Sequence, residues 1–92
     1  MGLGERNYAD SSSMSMVPIV TSRSMSKITF AVLMYAKYAE QPTAIASVGF
    51  DYIQHTKKWN MSYCVFPDKA QFSPYREDVR KACEELIPFI AW

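Results

Sequence analysis

The run Ala44-Ile45-Ala46-Ser47-Val48-Gly49-Phe50-Asp51-Tyr52-Ile53-Gln54, then His55-Thr56-Lys57-Lys58, then Trp59-Asn60-Met61-Ser62-Tyr63-Cys64-Val65-Phe66 reads as a β-hairpin. In the first run the even positions are Ala44, Ala46, Val48, Phe50 and Tyr52, while Ser47, Gly49 and Asp51 are odd. In the second run the odd positions Trp59, Met61, Tyr63 and Val65 are apolar, and Asn60 and Ser62 are polar. Side chains alternate between faces along a strand, so each run presents one face to a core. The two apolar faces coincide when an even position opposes an odd one. The loop 55–58 then predicts Phe50 opposite Tyr63, Tyr52 opposite Met61 and Val48 opposite Val65. A slip of one residue would carry Asn60 and Ser62 into the core.

Outward from the hairpin, residues 27–37 read as a third strand, with Ile28, Phe30, Val32 and Met34 on one face. A helix over 27–40 is the alternative, because Ala, Leu, Met and Lys suit one and Ser26 is a candidate N-cap. Pairing favours the strand, since a lone hairpin is marginal and a third strand gives it independent stability. Ser73-Pro74 predicts a helix start, and Tyr75, Val79, Ala82, Cys83, Leu86 and Ile90 make one apolar stripe over 74–87. Pro88 is expected to end or kink it. The predicted class is therefore α+β: a three-stranded antiparallel meander (27–37, 44–54, 59–66) covered by one C-terminal helix. The helical alternative for 27–40 gives an αββα order.

Residues 1–26 hold seven serines with scattered Met and Val. Read by composition, this is a disordered tail that buries too little to offset its ordering entropy. It lacks the apolar core of a secretory signal, Glu5 and Asp10 disfavour a transit peptide, and Arg6 stands where myristoylation wants Ser or Thr. The expected domain is 27–92, and removal of residues 1–24 is expected to leave its stability unchanged.

The totals bound function. Ninety-two residues make one small domain, and a net charge of +1 supplies no global field toward nucleic acid or anionic lipid. No apolar run approaches a membrane span. Two cysteines, Cys64 and Cys83, are too few for a disulfide scaffold, so a reduced, cytoplasmic setting is expected. On the predicted register they lie on opposite sides of the sheet and cannot bond.

The one histidine, His55, falls in the turn, out of hydrogen-bond reach of Cys64 along the strand. Asp51, Asp68, Glu77 and Asp78 form no metal constellation, and no Gly-rich phosphate loop exists. No enzyme activity and no cofactor are expected.

Two Trp, six Tyr and five Phe exceed what so small a core hides. They point to a non-catalytic protein-binding module that takes a protein target or a second copy through sheet edges and exposed aromatics. Tyr35, Trp59 and Trp92 are the candidate contacts. Small aromatic-rich inhibitors and adaptors of the kind viruses and phages make share these features, an association only. The second reading is a nucleic-acid-binding domain using His55, Lys57 and Lys58 at the hairpin tip beside Trp59. The polar turn it invokes is equally what any solvated hairpin shows.

Overall fold

The strand predicted over 27–37 is present and lies at the centre of the sheet. The computed structural model describes residues 6–8, 11–36 and 41–90. Its strands are β1 (Arg6–Tyr8), β2 (Ser11–Arg23), β3 (Lys27–Ala36), β4 (Thr43–Ile53) and β5 (Lys58–Val65). They form one antiparallel sheet in chain order. A short helix α1 (Lys69–Phe72), a 3₁₀ turn (Ser73–Tyr75) and a long helix α2 (Arg76–Ile90) follow. The class is α+β with an antiparallel sheet and a C-terminal helix, but the sheet has five strands, not three.

The helical alternative for 27–40 is wrong over 27–36, which is strand; the remainder lies outside the described residues. Neighbours on both sides decide it. Residues Ile28, Phe30, Val32 and Met34 are buried, and each has a partner on β2 and on β4.

The predicted tail is also corrected. Ser11–Arg23 is the strand β2, and Met16 within it is fully buried. From Met14 the sequence does alternate: Met14, Met16, Pro18 and Val20 interleave with Ser15, Val17 and Ile19. β2 pairs with β3, setting Met16 opposite Met34, Pro18 opposite Val32 and Val20 opposite Phe30. Among the described residues β1 pairs no farther along β2 than Met16, so no described ladder bond to β1 is asked of Pro18. The serines close the hairpin. Ser24 Oγ accepts from the Lys27 amide at 3.1 Å, and the Ser24 amide donates to the Lys27 carbonyl at 2.7 Å.

The β4–β5 register differs from the prediction. The turn is Gln54–Lys57, with Ile53 opposite Lys58, Tyr52 opposite Trp59 and Phe50 opposite Met61. The Thr56 and Lys57 amides both donate to the Ile53 carbonyl, and Lys57 adopts a left-handed φ of 59°. Between Gly49 and Phe50 the register shifts. Ser62 is the additional residue of this β-bulge, and beyond it Gly49 opposes Tyr63, Val48 opposes Cys64 and Ser47 opposes Val65. One extra residue inverts which side chains face the core. Cys64 turns inward, while Tyr63 and Val65, predicted as core, turn outward.

The core lies between the sheet and α2. Phe30 and Phe50 meet edge to face at 5.9 Å, beside Met16, Ile28, Ile45, Val32 and Val48. From α2 come Val79, Ala82, Cys83 and Ile87. The stripe is thus rotated from its predicted position: Ile87 is buried, while Leu86, Ile90 and Tyr75 are only partly so. α2 touches both β2 and β5, and so crosses the strands between them.

A separate short helix precedes the predicted one, and α2 starts at Arg76 and ends later than predicted, at Ile90. Asp68 Oδ1 accepts from the Gln71 amide at 3.2 Å and caps α1, and Pro74 sits in the 3₁₀ turn. α2 continues through Pro88 to Ile90. Within the last turn a proline removes one intrahelical bond, and two contacts compensate. Ile87 is buried beneath it, and Arg23 Nη1 donates to the Ile90 carbonyl at 3.1 Å, a cation at the negative end of the helix.

Candidate interaction face

The sheet has α2 on one face only. The other face is built from the alternate residues of β2 to β5, and the cross-strand pairs arrange them in rows. Val17, Leu33 and Ala44 form one row. Ile19, Ala31, Ser47 and Val65 form the next, across four strands. Ser22, Thr29, Gly49 and Tyr63 form the third. Lys27, Asp51 and Asn60 close one end, and Ser15 with Tyr35 closes the other. The three middle rows carry no charge.

Exposure follows this layout. Ile19 is 44% exposed, Tyr63 42% and Val65 55%. Leu33 and Val17 are half-buried by their neighbours in the sheet. A face that meets only water shows polar residues at these positions. The Tyr63 ring lies over Gly49 so closely that a Cβ added there would stand 2.1 Å from Tyr63 Cε2. Glycine is needed at 49 for that close approach. Beside it a shallow hollow of about 220 Å³ is lined by residues that include Lys27, Thr29, Asp51 and Tyr63. At the row's other end, Thr29 Oγ1 shares hydrogen bonds of 2.7 Å with Thr21 and Ser22.

Tyr35 and Trp59, two of the predicted contact residues, are on opposite faces of the sheet. Tyr35 is on this face, 42% exposed at its end. Trp59 is on the helix side, half-buried, with its ring 5.2 Å from that of Tyr52. Trp92 lies outside the described residues. His55, Lys57 and Lys58 cluster exposed at the hairpin tip. Tyr63 and Val65 are the residues that sequence reasoning missed. Gly49 is the signal for them, since an isolated glycine within a strand pattern marks a bulge or a close backbone approach.

The sheet edges are poor docking strips. Pro18 has no backbone N–H to offer, and the bulge at Ser62 with Lys58 interrupts β5.

Both cysteines face the helix side, against the prediction that the sheet separates them, and both are free thiols. Burial pushes the Cys83 thiol from 9.0 up to about 12, with smaller contributions from Cys64 and Glu84. Burial also raises Cys64, partly offset by the Arg76 guanidinium. Raised thiols are poor nucleophiles. Cys64 opens on a cleft of about 310 Å³ at the end of β5, lined also by Val65, Phe66, Lys69, Ser73 and Arg76. Among the described residues no group of three or more His, Cys, Asp or Glu side chains is placed to hold a metal ion. No described helix is long and apolar enough to cross a membrane.

No protein family, curated protein or solved structure matches this chain.

Proposed function

We propose that this chain is a non-catalytic protein-binding module that acts through the open face of its sheet. The observation that carries the reading is the alignment of Ile19, Tyr63 and Val65 with half-buried Val17 and Leu33 in three uncharged rows. Isolated exposed apolar residues need no explanation, whereas a contiguous group on one flat face marks a contact surface. Raised thiol pKa values and a histidine placed at the far hairpin turn support a non-catalytic role. An inhibitor or adaptor needs nothing more than such a surface.

The nucleic-acid reading has three cationic or titratable side chains at the tip and no cationic row among the described side chains of the sheet. It serves as the competing outcome of the test. The immobilised chain is exposed to nuclease-treated lysate, alongside Val65→Lys and a Lys57→Ala/Lys58→Ala variant. Protein captured by the parent and the tip variant, but lost with Val65→Lys, is the expected result. Capture that needs nucleic acid, falls steeply with salt and is lost with the tip variant would overturn it.

A further inference from the structure

We infer that the open face is closed by a second copy of the same chain, the two sheets stacking about a twofold axis that runs along the strands between β3 and β4. This rests on the reading of that face as protein-binding, and names its partner.

The rows are the argument. A twofold along the strands exchanges β3 with β4 and β2 with β5 between copies. In the central row, Ile19 then lies over Val65 of the second copy, and Ala31 over Ser47. Branched side chains meet at the flanks and small ones meet on the axis. In the neighbouring rows the large residue meets a small one each time: Leu33 over Ala44, and Tyr63 over Ser22.

The charges fit the same axis. Lys27 and Asp51 are the charged residues of the five rows, and they face each other across β3 and β4. The operation places Lys27 of one copy over Asp51 of the other, twice. Neither is in an ion pair with any described residue of its own chain. Any other axis through the central row loses this match. A twofold across the strands sets the charged row over Ser15 and Tyr35 and brings neither charge an opposite charge from the other copy.

The area suffices for a modest dimer. With strands about 4.8 Å apart and rows about 6.8 Å apart, the sixteen residues of the five rows give a footprint near 500 Å² per copy. The total of about 1,000 Å² sits at the small end of specific interfaces, where micromolar association is expected. Stacked sheets pack about 10 Å apart with their strands within about 30°, so rows near the axis stay matched.

The test is sedimentation equilibrium of the whole chain, from about 1 to 200 μM, a span that brackets micromolar affinity. The parent chain is expected to dimerise. Lys27→Asp makes both charges of the pair acidic, and Asp51→Lys makes both basic, so each variant alone is expected to associate at least about tenfold more weakly. Mixed one to one, the two variants should form a heterodimer with restored affinity, since each charge again meets its opposite. Circular dichroism verifies that each variant is folded. Ser47→Lys, which buries a lysine on either side of the axis, gives a second disruption that leaves Lys27 and Asp51 intact.

A monomer throughout, with lysate capture still abolished by Val65→Lys, overturns the second copy and leaves the protein-binding face standing. A monomer with no face-dependent capture overturns both. A dimer indifferent to Ser47→Lys, or single charge variants that dimerise like the parent, refute the axis and the inference with it.

Discussion

Along β3, neighbouring residues have opposite fates. Ile28, Phe30, Val32 and Met34 are buried beneath α2, whereas Thr29, Ala31, Leu33 and Tyr35 stay partly or largely accessible on the open face. The backbone and its hydrogen bonds are common to both sets. What differs is what packs above them. The covered face uses large apolar side chains that fill space to crystal-like density, so each methylene there contributes. The open face uses smaller and mixed residues, with Ile19, Tyr63 and Val65 exposed among them. Stability should therefore reside on one face and association on the other.

Removing residues 1–24 is the largest challenge to this division. It takes away β2 with the fully buried Met16, and strips one side of β3 of its ladder. Loss of the cooperative thermal transition is expected; an unchanged melting curve would mean that β2 contributes nothing to the fold.

Phe30→Ala comes next. It empties the centre of the covered face, where Phe30 meets Phe50, and should cost about 3–5 kcal/mol in urea unfolding. A cost below about 1 kcal/mol, the range of surface sites, would place the core elsewhere.

A smaller effect comes from Cys83. Its folded pKa is raised from 9.0 to about 12, so between these values the unfolded chain binds fewer protons than the folded one. The associated stability is complete below pH 9.0 and is lost as pH climbs toward 12. A fall of roughly 1–3 kcal/mol by about pH 11 is expected, in excess of that in Cys83→Ala. Identical pH profiles for the two proteins would show that the thiol is not held neutral by burial.

The smallest effect belongs to the open face. Val65→Thr should shift monomer stability by no more than about 0.5 kcal/mol, because Val65 is 55% exposed on the open face. A larger loss, measured well below the dissociation constant, would reveal Val65 as part of the folding core.

Legibility in the sequence followed the same boundary. The covered face of β3 was readable from Ile28, Phe30, Val32 and Met34, since period-two alternation of β-branched and aromatic residues needs no knowledge of neighbours. The polar part of the open face was readable at Ser47, Gly49, Asp51 and Asn60, and its apolar part at Tyr35. Tyr63 and Val65 share the parity of Trp59 and Met61, and nothing in β5 alone says that Ser62 will be the inserted residue. β2 was obscured by serines that composition assigns to a tail, although they serve as turn and open-face residues.

Local chemistry by itself determined that this chain alternates as strands over 27–36, 43–53 and 58–61 and closes with an amphipathic helix opened near Ser73-Pro74. Alternation, caps and proline act within a few residues of where they are read. Tertiary structure decided the rest. β2 is a strand because Met16 finds Met34, α2 runs past Pro88 because Ile87 and Arg23 hold its last turn, and Cys64 faces inward because Gly49 leaves room for the Tyr63 ring. Each outcome depends on a partner distant in sequence. The free energy that selects it exists only once the strands have paired, and so no local pattern can encode it alone.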